Sequence, residues 1–359
     1  IGLVGSEMCI RDRPVSEVAK NIRLDVAKAD RALYVQYATS KGKEMMNIPL
    51  NTASTRAETL VKLPENVSGF DTNGGEGAYR YQWYPAKGET ATLMMEDNWP
   101  EMGDYDFNDF VIYYHTQMTF FDGGNGSKDS YDADGVEFEI TFRAMGGYLP
   151  YRLGLQLDQT SAKYIDEVVE INGNDLVKME LQNPGEDAPA IFIFTGTDQL
   201  RKQNNGGTFY NTEADHQIAA NDLVTIKYRL KINCFNSLER AKALGAAAIS
   251  ENQNFFLQKE RNGGREIHLR GYEPTAYYSD SYAGEAGNNM RSDIKYCSTD
   301  NFVWGIKVPV KLAHPREKKD IMEVYGKFRS WITNPNLSPD SPDFNENWFK
   351  YLDSSQAIK

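Results

Sequence analysis

The chain has 359 residues, of which 40% are hydrophobic and 12% aromatic, and its formal net charge is −12 at pH 7. This length and composition allow a packed core, in one large domain or in two, and exclude a generally disordered chain. The acidic balance excludes nucleic acid and anionic membrane surfaces as partners held by bulk electrostatics, and it favours cations as small partners.

The first segment of the chain, residues 1–13, reads IGLVGSEMCIRDR and resembles a translated sequencing-adapter peptide. We therefore expect residues 1–13 to be non-native and any native export signal to be missing from this sequence. No run of residues approaches the roughly 18–20 apolar residues that cross a bilayer, so we expect no transmembrane segment.

Most strands are predicted by short runs rich in β-branched and aromatic residues that end near Gly, Pro or Asn. Residues 14–85 are expected to form a smaller β-rich region, with strands at 31–37, 58–63 and 79–84. Residues 86–351 are expected to form the main domain, with strands at 90–95, 110–121, 136–142, 151–157, 190–194 and 223–232. Strict alternation over 136–142 predicts one buried face and one wet face.

Two helices are predicted in the main domain. A short one at 237–247 has Ser237 as its cap. The clearer one is opened by Pro315 and carries an apolar stripe at helical spacing, made of Ile321, Val324, Tyr325, Phe328, Trp331 and Ile332. Many short strands with few helices predict a mainly β fold, a jelly-roll-like β-sandwich with one C-terminal helix packed on the sheet.

An acidic run lies between the strands at 90–95 and 110–121. No Lys or Arg occurs between Lys87 and Lys128, and residues 96–109 contain six carboxylates. Two carboxylates about 4 Å apart repel by roughly 4 kcal/mol at an effective dielectric constant near 20. Compact folding of this run therefore requires protonation, outward splaying or a bound cation.

The spacing within the run favours a cation. Asp104, Asp106 and Asn108 place oxygen-bearing side chains at alternate positions, as calcium loops do at their first, third and fifth positions. An EF-hand is excluded because Asp109 and His115 occupy the positions that require Gly and Glu.

We predict a Ca²⁺ site whose ligands come from these residues and their acidic neighbours: Glu96, Asp97, Asp104, Asp106, Asn108 and Asp109. Mg²⁺ and Mn²⁺ also bind oxygen ligands, so the sequence does not decide which of the three ions is bound. A solvated acidic turn without any metal is the alternative.

Other polar groups give weaker signals. Cys234 and Cys297 are either bridged or free, and the spacing does not decide between these states. His268 would share a strand face with Glu266, either as a structural tie or as a catalytic pair. A tyrosine set could form a stacking platform for sugar rings: Tyr272, Tyr277, Tyr278 and Tyr282. No nucleophile-elbow, phosphate-loop or zinc-protease motif is present, so we predict no enzymatic activity.

The acidic run, read from Met95 to Val111, resembles the signature of the LruC-domain family of exported and surface lipoproteins in Bacteroidetes-type bacteria and spirochaetes. Further parts of the pattern follow in order, at 142–146, 264–269, 273–275, 300–301, 304–306 and the helix after Pro315. The resemblance implies an exported domain without established enzymatic activity. It also implies attachment to the outer membrane through a lipidated N-terminal Cys that is missing here, with a location at the outer membrane, the cell surface or in the periplasm.

The sequence thus predicts a non-enzymatic, calcium-stabilised cell-surface module with an adhesive or structural role. Its expected partners are a divalent cation and a surface glycan or protein ligand, with no nucleic acid. A carbohydrate-binding module and a glycan-processing enzyme are the two alternative functions.

Overall fold

The computed structural model describes residues 79–122, 126–182, 185–259, 264–278, 289–333 and 348–359, together with the backbone of the strands at 2–5, 8–12, 32–39, 42–49 and residue 78. In chain order the strands are β1 (Gly2–Gly5), β2 (Met8–Asp12), β3 (Ala32–Thr39), β4 (Gly42–Pro49), β5 (Ala78–Tyr84), β6 (Ala91–Met95), β7 (Phe110–Asp122), β8 (Gly135–Ala144), β9 (Arg152–Ser161), β10 (Glu167–Asn172), β11 (Lys178–Gln182), β12 (Pro189–Thr195), β13 (Thr225–Lys231), β14 (Gln253–Gln258), β15 (Glu266–His268), β16 (Gly305–Val308), β17 (His314–Pro315) and β18 (Ala357–Ile358). The α-helices are α1 (Thr197–Leu200), α2 (Leu238–Ala247), α3 (Ile321–Val324) and α4 (Phe328–Thr333).

The N-terminal strands form an antiparallel sheet in the order β2-β1-β3-β4. The predicted strand at 31–37 corresponds to β3, whereas the one predicted at 58–63 lies outside the described residues. The non-native origin of residues 1–13 and the division near residue 85 stay predictions.

Two larger antiparallel sheets carry the rest of the fold. One has seven strands in the order β10-β13-β8-β7-β6-β16, and β5 pairs with the second half of β7, beyond β6. The other has five strands in the order β11-β12-β9-β14-β15. Side chains from both sheets share one core, in which Ile112 and Phe138 belong to the first sheet and Leu155 and Phe255 to the second. The mainly β, sandwich-like fold is thereby confirmed.

Part of the outer face of the seven-stranded sheet is also covered. Strand side chains alternate between faces, so Ile112 joins the core between the sheets while its neighbour Val111 joins a second core with Phe328 and Trp348. Farther along the sheet, Glu139 is exposed as predicted for the wet face of β8, but Glu137 is buried.

The C-terminal helix packs where the apolar stripe predicts, but it is divided into α3 and α4. Asp320 caps α3 by accepting a hydrogen bond from Met322 N at 2.7 Å, and Tyr325 then adopts an extended backbone. The prediction that Pro315 opens this helix is wrong, because Pro315 lies in β17 and pairs with β18.

The shorter helix and the cysteines are seen directly. The side chain of Ser237 accepts a hydrogen bond from Arg240 N at 3.3 Å, which confirms the predicted cap of α2. Cys234 and Cys297 are both buried and free, so they are not bridged to each other.

Candidate metal centre

The acidic run forms the connection between β6 and β7, and its backbone is unusual. Gly103, Tyr105 and Phe107 have positive φ values of 64°, 56° and 55°. For residues other than Gly this left-handed conformation costs about 1–2 kcal/mol each. The rings of Tyr105 and Phe107 offset that cost by burial, since they meet edge to face at 4.9 Å and contact Phe328 in the second core. The buried aromatic residues of the run thus fix the backbone that carries the alternating acidic residues.

Three carboxylates converge on one side of this loop. Oxygens of Asp104, Asp106 and Glu317 all lie within 4.8 Å of one another. Asp104 is exposed, Asp106 is 1% exposed and Glu317 is partly buried. The structure therefore brings together two of the predicted ligands and adds Glu317, which follows β17.

Backbone and hydroxyl donors fix Asp106 and Glu317 in place. Asp106 Oδ2 accepts from Lys318 N at 2.8 Å, and Asp106 Oδ1 accepts from Asn108 N at 3.1 Å. Glu317 Oε2 accepts from Thr212 Oγ1 at 3.2 Å, and Glu317 N donates to Thr212 O at 3.0 Å. The segment after β17 is thus tied to the acidic loop through its backbone.

Two neighbouring oxygens are buried without a hydrogen-bond partner among the described residues. Asn108 Nδ2 donates to Asp106 Oδ2 at 2.7 Å, which leaves Asn108 Oδ1 unpartnered. Glu96 Oε1 accepts from Phe107 N, and Glu96 Oε2 has no partner. An unsatisfied buried acceptor costs about 1–3 kcal/mol, more when it is charged, so both atoms are suited to a bound cation.

Asp97 and Asp109 form a second acidic group beside these residues. Asp109 Oδ2 accepts from Asp97 N at 2.8 Å, and Asp97 Oδ2 accepts from Leu149 N at 3.3 Å. The chain after β8 passes against them, because a Cβ at Gly147 would lie 2.0 Å from Asp97 Oδ2 and 2.9 Å from Asp109 Oδ1. Only glycine leaves room for both carboxylates at this point.

The electrostatics of the group favour a proton or a cation. Burial and the charge of Asp104 raise the pKa of Asp106 to about 8 and that of Glu317 to about 7. Burial and the charges of neighbouring carboxylates also raise the pKa values of Glu96 and Asp109 well above the ordinary range. Each of these groups is thus harder to ionise in the folded protein than in the unfolded chain.

Basic side chains leave this charge largely uncompensated. Within the described part of the chain, no Lys, Arg or His nitrogen lies within 4.0 Å of a carboxylate oxygen of Glu96, Asp97, Asp104, Asp106, Asp109 or Glu317. Burial raises the pKa of Asp97, and the charge of Arg201 opposes part of that rise. Arg201 itself donates to Leu149 O at 2.5 Å.

The donor set suits a hard divalent ion. Ca²⁺ binds oxygen at about 2.3–2.6 Å and therefore contacts oxygens that lie up to roughly 5 Å apart. Asp104, Asp106 and Glu317 meet that requirement directly, and the amide of Asn108 lies next to them because it bonds Asp106. Glu317 gave no signal in the sequence, because it stands alone among basic residues in Arg316-Glu317-Lys318-Lys319.

Comparison with known proteins identifies one family and one related fold. Residues 133–339 match the family described as a domain of unknown function, DUF4842. A solved structure described as a "putative lipoprotein from Bacteroides ovatus" has a TM-score of 0.63 and 22% identity, covering 92% of this chain and 90% of that chain. At this identity the likeness shows the fold alone. No curated protein matches the chain.

The family match also divides the candidate centre. It begins after the acidic loop at 96–109 but includes Glu317.

Among the described residues, no helix is both long and apolar enough to cross a membrane.

Proposed function

The chain belongs to the family of the domain of unknown function DUF4842, and for this member we propose a non-enzymatic, exported surface module whose fold is stabilised by Ca²⁺. Its role is adhesion or structural binding at the cell surface. The proposal of a bound Ca²⁺ rests on one observation, that carboxylate oxygens of Asp104, Asp106 and Glu317 lie within 4.8 Å of one another. Two buried oxygens without hydrogen-bond partners, Glu96 Oε2 and Asn108 Oδ1, belong to the same loop.

The proposed location rests on the related fold and on the LruC-type pattern. The solved structure with this fold is described as a putative lipoprotein, which supports an exported chain attached to the outer membrane by a lipid anchor. The resemblance to the LruC-domain family points to the same compartment and stays a prediction.

The proposed role of the ion is to neutralise charge and to join segments. Asp104 and Asp106 come from the β6–β7 loop, and Glu317 comes from the segment that leads into α3. A cation held by these three side chains would offset their mutual repulsion and link the loop to the C-terminal segment that covers the sheet.

Thermal unfolding with added Ca²⁺ and with EDTA tests this function. At an ion concentration about one hundred times the Kd, binding adds about 2.7 kcal/mol to the free energy of unfolding, which is roughly 4–5 °C in the midpoint for a chain of this length. We expect that increase in the unchanged chain and its loss in Asp106→Asn and in Glu317→Gln, because each variant removes one ligand charge.

A matched control is Asp129→Asn, which neutralises an exposed carboxylate outside the centre and should keep the full Ca²⁺ shift. Equal midpoints in Ca²⁺ and EDTA for the unchanged chain would refute the calcium proposal. An undiminished shift in both Asp106→Asn and Glu317→Gln would refute the site.

A further inference from the structure

A polar groove lies on the outer face of the five-stranded sheet, and none of its lining residues belongs to the candidate metal centre. It crosses β11, β12, β9 and β14 and has a volume of about 290 Å³. It is lined by Arg152, Glu180, Gln182, Ile193, Thr195, Gln258 and Tyr277. Ile193 and Tyr277 pack with Phe256 in a small cluster apart from the main core, which places the groove on the face turned away from the seven-stranded sheet.

Beside the groove lies a fully buried histidine, His268, whose two ring nitrogens each face a polar side chain. Asn254 Nδ2 donates to Glu273 O at 2.9 Å, so Asn254 Oδ1 faces His268 Nδ1 at 2.7 Å. The other ring nitrogen, Nε2, lies 3.0 Å from Glu266 Oε2. The ring of His268 is thus held between Asn254 and Glu266, and neither His268 nor Glu266 is exposed.

This buried carboxylate holds two walls of the groove at once. Glu266 Oε1 accepts from Thr275 Oγ1 at 2.6 Å, and the same hydroxyl accepts from Tyr277 N at 3.1 Å. Glu266 Oε1 also accepts from Gln258 Nε2 at 3.4 Å, and Gln258 Oε1 accepts from Arg152 Nη2 at 2.9 Å. The Tyr277 wall and the Arg152–Gln258 pair therefore have positions fixed before any ligand arrives, which lowers the entropy lost on binding.

The opposite wall is ordered in the same way. Thr195 Oγ1 donates to Glu180 Oε1 at 3.0 Å, and Gln182 Nε2 donates to Glu180 O at 3.4 Å. The lining residues carry one cation, Arg152, and one anion, Glu180, so their own charges balance. Its features are planar polar groups beside one aromatic ring and one aliphatic side chain.

We propose that this groove binds a neutral saccharide. A sugar ring presents an apolar face for the partly exposed ring of Tyr277, and its hydroxyls supply donors and acceptors for Arg152 and Glu180. The buried Ile193 and Gln258 support Tyr277 and Arg152 from below. The volume is close to the lower end of the range for small-molecule sites, about 300–1,000 Å³, which suits a short stretch of a glycan chain. The proposal does not depend on the metal centre, because no lining residue is a candidate ligand.

Affinity electrophoresis of the full chain through gels containing soluble neutral polysaccharides tests the proposal, with mannan, dextran, laminarin and xyloglucan as probes. We expect at least one of them to retard the unchanged chain. Tyr277→Ala should weaken that interaction by about tenfold, and Tyr277→Phe, which keeps the ring, should stay within about twofold of the unchanged chain. Tyr351→Ala removes an exposed tyrosine elsewhere and should change nothing.

The same gels are run with EDTA and with Asp106→Asn, and thermal midpoints show that each variant is folded. Retardation that persists under both conditions supports a groove independent of the metal. Passage of the chain without retardation by any of the four polysaccharides overturns the proposal. Full retention in a folded Tyr277→Ala variant would also overturn it. Binding that is lost with EDTA but kept in Tyr277→Ala would overturn it as well, because the glycan would then bind at the metal centre.

Discussion

Single residues decide whether the acidic loop can close. Tyr105 and Phe107 occupy a left-handed backbone that bulky side chains rarely adopt, and their buried rings hold them there. The acidic residues between and beside the rings are thereby kept close to one another in spite of their repulsion. Strain of this kind is common at functional sites, where the surrounding structure over-determines the backbone.

Gly147 gives the sharpest single-residue prediction. Gly147→Ala places a methyl group 2.0 Å from Asp97 Oδ2 and 2.9 Å from Asp109 Oδ1, so both carboxylates must move. We expect a loss of about 1–3 kcal/mol in the free energy of unfolding and a smaller Ca²⁺ shift, measured by chemical and thermal unfolding.

Gly245→Ala is the matched control. Gly245 lies inside α2 with nothing within 4 Å of its added Cβ, so this change should raise stability by about 0.5–1 kcal/mol and leave the Ca²⁺ shift unchanged. A Gly147→Ala variant as stable as the unchanged chain would mean that the carboxylates do not crowd this backbone.

Among the elements, the C-terminal segment matters most for the candidate centre. Trp348 contacts Phe328 at 5.0 Å and Tyr325 at 5.1 Å between ring centroids, and it closes the core over the outer face of the seven-stranded sheet. The stretch between β17 and α3 carries Glu317 and also Lys318, whose N–H bonds Asp106. Packing of this segment therefore positions one ligand and supports another.

Trp348→Ala tests that link. The loss of a large buried ring should cost about 3–5 kcal/mol and should also weaken the Ca²⁺ response, because the helices that follow Glu317 would pack less firmly on the sheet. Urea unfolding and calcium titration measure the two effects separately, with Tyr351→Ala as an exposed aromatic control. A destabilised Trp348→Ala chain that keeps the full calcium affinity would show that the centre does not need this packing.

The elements also show where periodicity fails. The stripe from Ile321 to Ile332 has helical spacing, yet Tyr325 leaves the helix because it forms a β-bridge with Leu352 and its hydroxyl donates to Ala313 O. In β14, the polar residues Asn254 and Gln258 are buried by the His268–Glu266 network, so the strand lacks the alternation that marks a half-buried strand. In both cases tertiary contacts outweigh the local pattern.

At the scale of the whole molecule, the acidic centre makes stability depend on pH in the absence of the ion. An acid whose pKa is raised by folding makes its full contribution to the stability of the folded state when the pH is below its unfolded pKa, near 4. That contribution is lost as the pH rises through the folded pKa. For Asp106 and Glu317 the folded values are about 8 and about 7.

In EDTA we therefore expect the free energy of unfolding to fall by at least about 2 kcal/mol between roughly pH 5 and pH 8. Saturating Ca²⁺ should remove most of that decline, because the ion takes the place of the protons, and Asp106→Asn should flatten it. Urea unfolding across this range provides the measurement. A stability in EDTA that rises with pH over the same range would contradict the clustering of these carboxylates.

The sequence by itself determined the strand-rich composition, the principal buried strands, the cap of α2 and the acidic run with Asp104 and Asp106 at its centre. These features are local, since alternation, capping and charge density are written in neighbouring residues. Only the tertiary structure decided that Glu317 joins them, that Glu96 Oε2 and Asn108 Oδ1 are buried without partners, and that Glu266 holds the walls of a groove. Each of these depends on contacts between segments far apart in the chain, which no local pattern of residues encodes.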